Sequence, residues 1–473
     1  MKRLDAPRGR IVVLALVLAL VCAGGAAALG ASPVRADTAA LPAPAPSATW
    51  ATVSAAPGGM KTATAAAIAR DAASGALYVA ASAGATVDRP ARLVLIKYDA
   101  TGNVIWKTPF APPSARQTGA VDVAFDHGGV YVLGWTKTAS RGRDWLVAKF
   151  TTGGSFVWGS RLAGAGASND VPNDLLLTPS GRVWACGSLG RSGHGLDAAL
   201  VRFAATTGKV LARRIVDDPA HRADAFNDLG VDRAGRLFAA GKYGRPVGSD
   251  GLLASYSSTG TRLWVRTWGS KGRLDDPVNG LVVGPTGKAY VVGALGAPGG
   301  SKALIRQYNA AGRFIWQGTF RTESAGGTAS FSAAVLLPDG RVVATGTFTG
   351  ANRNPNIVTV AFAPKGPSLW NQTYDTPFKS KPSNDVARGI AADKDGDVFV
   401  AATVPFLRDG GSRIAVLRYS ANGAQGWLAP AWWDDGAKDS EAADIVLAPQ
   451  RVIVTGRTAR GGKTDVATVA FPY

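Results

Sequence analysis

Residues 98–106 read YDATGNVIW, and near-copies return at 150–158 (FTTGGSFVW), 256–264 (YSSTGTRLW), 308–316 (YNAAGRFIW) and 362–370 (FAPKGPSLW). Aligned on the glycine four residues before the tryptophan, the series runs Trp106, Trp158, Ala212, Trp264, Trp316, Trp370 and Trp427, at spacings of 52 to 57 residues. A second marker keeps step with it: LYVAA, VYVLG, VWACG, LFAAG, AYVVG, VVATG, VFVAA and VIVTG, the last ending at Gly456. Eight copies of one unit therefore fill the chain, and a fixed period of this length is the mark of a repeat architecture.

Each period holds four apolar or alternating runs, such as VDVAF, VYVLG, WLVAKF and SFVW, parted by turn residues such as DHGG and TTGG. Four short strands per unit predict an all-β chain, an eight-bladed β-propeller with four antiparallel strands per blade. The chain ends support the closed form. The last unit stops at DVATVAFPY with three strands, whereas Trp50 in ATWATV is a tryptophan strand with no unit before it. An N-terminal strand donated to the C-terminal blade closes the ring and removes two bare sheet edges. Trp50 to Tyr473 spans 424 residues, eight periods of 53. The tryptophans are expected to fill the wedge where blades diverge. Gly134, Gly187, Gly241, Gly293, Gly346 and Gly456 are expected to let a neighbouring blade approach closely.

The pattern from Asp122 to Trp158, A-x-D-x-x-G-x-V-Y-V-x-G followed by D-x-x-V-A-K-[FY]-x-x-x-G-x-x-x-W, resembles the bacterial β-propeller repeat known as SBBP, within the quinoprotein-like group. The resemblance runs from about Trp50 to the end. It implies an exported propeller and carries no shared chemistry.

The ends outside the repeats have their own grammar. Basic MKRLDAPRGR, the apolar run IVVLALVLALVCAGGAAAL and the small residues up to Ala36 predict a cleaved signal peptide over residues 1–36, with an uncleaved membrane anchor as the alternative. A proline- and alanine-rich linker over 37–48 leads into a single propeller domain over 49–473. The expected location is thus the cell envelope or the medium. Cleavage removes Cys22 and leaves Cys186 alone, so no internal disulfide forms. The formal net charge is +19, which alone selects no partner.

Function is expected on the face carrying the connections from fourth to first and from second to third strands, because the opposite turns (TPSGR, DRAGR, GPTGK) are short and repetitive. The second-to-third connections hold fifteen basic residues against six acidic ones, among them Arg141, Arg143, Arg245, Arg408, Arg457 and Arg460. Such a ring suits an anionic cell-wall polymer, an acidic glycan or an envelope protein, or is a solvated surface; nucleic acid is not expected. Trp432, Trp433, Asp434 and Asp435 resemble a sugar platform, or pack a loop against the next blade. Asp170, Asp224, Asp276 and Asp385 recur at one position, followed after three residues by Asn173, Asn227 and Asn279 in three units, while Asp122, Asp174, Asp228 and Asp444 share a position at the strand start. The first four are candidates to hold Ca²⁺, or cap their own loops. His194 and His221 lie in loops of the same face and could meet.

The expectation is a monomeric binding or scaffold module without catalysis. The alternative is a propeller enzyme of the pyrroloquinoline-quinone dehydrogenase or polysaccharide-lyase kind, with its site at the channel mouth. The vicinal cysteine pair of such dehydrogenases cannot form here, and no triad, P-loop or zinc-protease motif is present.

Overall fold

A computed structural model describes residues 45–473, apart from 87–88, 127, 140–141, 166–167, 271–273, 323–325, 350–353, 377–383, 407–409, 428–429, 435 and 438. The expected signal segment and most of the linker lie outside these residues. Among the described residues the fold is all-β, interrupted by one 3-10 turn at Pro57–Gly59. Strands associate in antiparallel groups of four that follow the repeat. Sheets built in chain order span 117–162, 171–216, 225–268, 278–320 and 329–374. The groups at 62–110, 386–433 and 439–472 follow the same pattern and are joined only through single parallel bridges, Thr62 to Thr464 and Ser412 to Asp439. Trp50–Ser54 pairs antiparallel with Lys463–Pro472, Trp50 opposite Ala470. No helix among the described residues is long and apolar enough to cross a membrane.

Position within each group sets the sequence pattern. Second strands such as Val183–Gly190 are buried on both faces and read as unbroken apolar runs. Fourth strands such as Val104–Phe110 alternate half-buried with exposed residues, because only one face is covered.

First strands share a single defect. Each skips one residue in its pairing with the second strand, at Ala66, Val121, Asn173, Asn227, Asn279, Ser332, Arg388 and Ala443. These β-bulges bend the strand and leave the extra residue off the ladder. The second marker ends opposite each bulge. A Cβ at Gly187 would run into the carbonyl oxygen of Val171, and one at Gly241, Gly293, Gly346 or Gly456 would likewise meet a carbonyl of its own first strand. These glycines therefore serve the bulge within the sheet, and two also admit a neighbouring sheet as expected: a Cβ at Gly187 would lie 2.7 Å from Trp145 Cζ2 and one at Gly134 3.1 Å from Leu93 Cδ1.

The tryptophan repeat makes the contact between sheets at the outer edge. Trp106 lies on Gly154 of the next sheet, Trp158 on Gly208, Trp264 on Gly312, Trp316 on Gly366 and Trp370 on Gly423. Each of these glycines sits at positive φ in the turn before a fourth strand. The indole N–H of Trp158 donates to Ala205 O at 3.1 Å, and that of Trp264 to Ala310 O at 3.1 Å. The side chain two residues after the tryptophan holds the glycine carbonyl, as Arg266 does for Gly312 at 2.8 Å and Gln372 for Gly423 at 2.9 Å. Where Ala212 replaces the tryptophan, Trp184 reaches Gly260 from the second strand and Arg214 still bonds the Gly260 carbonyl at 2.6 Å. Trp50 occupies Gly102 in the same way, and Thr52 bonds the Gly102 carbonyl at 2.6 Å.

A Cβ at Gly312 would lie 2.6 Å from Cδ2 of Trp264, at φ +77°. Gly312→Ala should destabilise by ~2–4 kcal/mol, from the left-handed backbone and the overpacked contact together. Gly461→Ala, at φ +56° with nothing within 4 Å, should show only the backbone part, ~1–2 kcal/mol. Equal losses in chemical denaturation would remove the tryptophan contact from the account.

Candidate functional site at the channel mouth

The bulged residues converge. Ala66, Val121, Asn173, Asn227, Asn279, Ser332, Arg388 and Ala443 all line one cavity of about 860 Å³, joined by Trp135, Arg143, Lys242 and Arg457 from the ends and starts of second and third strands. This is the central channel at its long-loop mouth. Among the bulged residues, those from Asn173 to Arg388 are polar and Ala443, Ala66 and Val121 are apolar, while Arg143, Glu441 and Arg457 of the latter sheets also line the cavity. The amide arc is tied down: Asn173 Nδ2 donates to Phe226 O and Asn227 Nδ2 to Val278 O, both at 2.7 Å, and Asn279 Nδ2 to Phe331 O at 2.9 Å. Each amide thus spends its N–H on the next sheet, and the shielded Oδ1 of Asn173 accepts from nothing.

Charge in the mouth is asymmetric. The carboxylates behind the arc bind backbone: Asp122 Oδ2 accepts from Leu175 N at 2.9 Å, Asp174 from Leu229 N at 2.9 Å, Asp228 from Leu281 N at 2.7 Å and Asp444 from Ile68 N at 3.0 Å. Every one of these bonds crosses to the next sheet. Burial, then the neighbouring Asp174 carboxylate, pushes Asp228 well above the ordinary range. Arg143 lies over the Trp135 ring at 4.1 Å, and Arg457 pairs with Glu441. Arg388 is 11% exposed, reaches Glu441 only at 3.9 Å and leaves Nη1 shielded with no partner. Burial holds the Arg388 guanidinium below its usual pKa. Sequence reasoning missed Arg388, although it stands three residues after Asp385 as Asn173 stands after Asp170.

Asp170, Asp224, Asp276 and Asp385 sit where their strands begin, each turned toward its own loops. Asp170 accepts from Gly164 N and Gly190 N, Asp224 from Asp218 N and Gly244 N, and Asp276 from Ser270 N and Gly296 N, at 2.6–2.9 Å. Asp385 accepts from Thr376 N at 3.0 Å and from the Thr376 hydroxyl. A Ca²⁺ ion at any of them would compete with these donors.

The basic ring is partly neutralised. Arg143 and Arg457 reach the mouth, whereas Arg245 pairs with Asp250 at 2.8 Å. Arg460 ends its strand on an exposed position. Arg141, Arg408 and Asp435 lie outside the described residues. In the 386–433 sheet the two tryptophans separate: Trp433 is buried in the core with Trp427 and Phe471, while Trp432 is 42% exposed and meets Phe406 edge-on. Asp434 pairs with the buried Arg413 at 3.0 Å. A platform of two adjacent exposed rings is therefore not formed, because the strand alternates and sends Trp433 inward.

The loop histidines do meet. His194 and His221 lie with ring centroids 3.6 Å apart and planes tilted by 53°, and both Nδ1 atoms lie 2.9 Å from Asp217 Oδ2.

No family model and no curated protein matches the chain. Among solved structures it is similar to the quinohemoprotein alcohol dehydrogenase of Comamonas testosteroni, at TM-score 0.55 and 14% identity over 89% of this chain and 76% of that one. It is also similar to Sqt1 of Chaetomium thermophilum, at TM-score 0.53 and 12% identity over 88% and 96%. At these identities the likeness carries the fold alone, a β-propeller.

Burial pushes the Asp385 carboxyl up to about 6 against the Thr376 hydrogen bonds, from an ordinary value of 3.8. The folded state thus holds this proton at pH values where the unfolded chain has lost it, so the contribution of Asp385 to stability is fully present below about pH 4 and is lost as pH rises through about 6. Asp385→Asn should flatten that part of a melting-temperature profile. An unchanged slope would assign the pH dependence to other groups.

Proposed function

We propose that the chain is an exported, closed eight-bladed propeller that binds an acidic glycan, one bearing uronate or sulfate groups, at the long-loop mouth of its channel, without catalysing a reaction on it. The observation that carries this reading is the polar arc: Asn173, Asn227 and Asn279 beside Arg143, Lys242 and an Arg388 guanidinium with one unpartnered nitrogen. A buried donor without an acceptor costs stability, and a carboxylate or sulfate would satisfy it. Of the nearby carboxylates, Asp228 is held toward its neutral form by burial and the neighbouring Asp174, and Glu441 is paired with Arg457. On this reading Asp170, Asp224, Asp276 and Asp385 cap loops and hold no Ca²⁺. Trp432 and Arg460 lie on the surrounding rim, and export rests on the 1–36 segment.

Support for the closed eightfold ring comes from the two junctions at the chain ends. The Trp50–Ser54 strand completes the last sheet while Trp50 lies on Gly102 of the first, and Asp444 bonds Ile68 across the same seam. Deleting residues 37–54 should lower the melting temperature and expose the edge of Lys463–Pro472, with self-association seen by sedimentation. A truncated chain as stable and monomeric as its parent would rule out this closure.

Calorimetric titration with oligogalacturonate, sulfated dextran and neutral dextran tests the ligand class. The acidic probes should bind and the neutral one should not. Arg388→Met should weaken binding ~10–100-fold, the worth of a charged hydrogen bond, while leaving stability equal or higher. Equal binding of neutral and acidic probes, or full affinity in Arg388→Met, would overturn the reading. Cleavage of the probe, or selective binding of pyrroloquinoline quinone, would replace it with an enzyme.

A further inference from the structure

We propose that His194, Asp217 and His221 form a binding site for a divalent transition metal of the zinc class, on the long-loop face and apart from the channel mouth. The three donors come from two loops. His194 follows the second strand of the 171–216 sheet, and Asp217 and His221 belong to the crossing to the 225–268 sheet. Backbone bonds hold the loops against one another: Gly195 N donates to His221 O at 3.0 Å, His194 N to Arg191 O at 3.1 Å and His221 N to Asp218 O at 2.9 Å. The second loop is further pinned by Asp218, which accepts from Ala220 N at 2.9 Å and from Arg222 N. His221 itself takes φ +55°, a left-handed conformation that a non-glycine residue adopts only when its surroundings impose it. The donors are thus placed before any ligand arrives.

Their chemistry and spacing fit one ion. Two imidazole nitrogens and a carboxylate oxygen, all within 4.8 Å of one another, are the donor set that zinc-class dications take. With bonds of about 2.0–2.1 Å, tetrahedral ligands stand about 3.4 Å apart. Each Nδ1 now lies 2.9 Å from Asp217 Oδ2, so the rings need open by only about half an ångström. The present arrangement is crowded on one side and empty on the other. Oδ2 of Asp217 receives both histidines and Arg191 at 3.1 Å, while its shielded Oδ1 has no partner. A dication replaces the two Nδ1 contacts with bonds, and Arg191 keeps its 2.9 Å pair with Asp197. An open cavity of about 820 Å³, lined by Arg191, Asp217, Tyr243 and Trp264, borders the Asp217 end of the cluster.

Zn²⁺ and Co²⁺ titrations of the chelator-stripped full chain test the site. One equivalent should bind, raise the melting temperature, and with Co²⁺ give the intense visible bands of a tetrahedral complex. His194→Ala/His221→Ala should weaken binding by more than the ~100-fold that loss of an outer-shell partner causes, and His221→Gln alone should shift the Co²⁺ bands. Arg388→Met should bind metal like the parent, which keeps this site separable from the glycan reading. Absence of stoichiometric binding by the parent chain overturns the proposal whatever the variants do, and so does undiminished affinity in a folded double variant.

Discussion

The β-bulge in each first strand is the constraint on which the rest of this structure depends. A continuous ladder would send alternate residues to the two faces of the sheet and leave the channel lined only by strand edges. One extra residue frees a side chain for the axis, and it does so at Ala66, Val121, Asn173, Asn227, Asn279, Ser332, Arg388 and Ala443 alike. Its effect on the partner strand is steric. The carbonyl displaced by the bulge occupies the space of a Cβ, so glycine stands opposite in six units, and Ala81 and Ala402 show that the smallest side chain is tolerated in the other two. The residue after the bulge is then aimed sideways, and where it is aspartate it bonds the next sheet.

Neighbouring sheets are consequently held at two radii. Near the axis, carboxylates at Asp122, Asp174, Asp228 and Asp444 bridge backbone across the junction. At the rim, indole rings cover turn glycines. The two devices fail in different units, so most junctions keep at least one. The sheet with Ala212 retains its Asp174 bridge and borrows Trp184, whereas the sheet beginning at Val278 has Gly280 in place of the aspartate and keeps Trp316 on Gly366. Since each bond joins only adjacent units, stability accumulates from unit to unit as in other repeat proteins, and the contacts of Trp50 with Gly102 and of Asp444 with Ile68 are made of the same parts as the other junctions.

The sequence disclosed what is periodic and concealed what depends on a side chain's direction. Tryptophan, glycine and the apolar second strands recur because the same contact recurs, so the four-stranded units and the N-terminal strand in the last sheet could be read from spacing. The glycines of the second marker were visible but only half assigned: sequence shows that space is needed, not which atom fills it, and here it is first a carbonyl of the same sheet, with the neighbouring sheet also close at Gly187 and Gly134. Trp432 and Trp433 are adjacent letters, yet strand alternation buries one and exposes the other. Arg388 escaped notice because it breaks an asparagine series at the one position where geometry, not residue type, is repeated. His194 and His221, 27 residues apart in sequence, meet only because Gly195 bonds the second loop.

Recognition in a ring of equivalent units must come from the positions where equivalence ends. The bulge supplies eight geometrically matched places around the axis, and structure constrains their backbone while leaving their side chains open. The chain fills three consecutive places with small or apolar groups, Ala443, Ala66 and Val121, and the remaining five with Asn173, Asn227, Asn279, Ser332 and Arg388. A symmetric scaffold has no use for that division, since the carboxylates and indoles already hold the sheets together. The polar arc also retains groups that folding leaves unsatisfied, Asn173 Oδ1 and Arg388 Nη1, which burden the folded state rather than support it. They stand at the two ends of the polar arc, four units apart, so a ligand that satisfied both would span the cavity rather than lie against one unit.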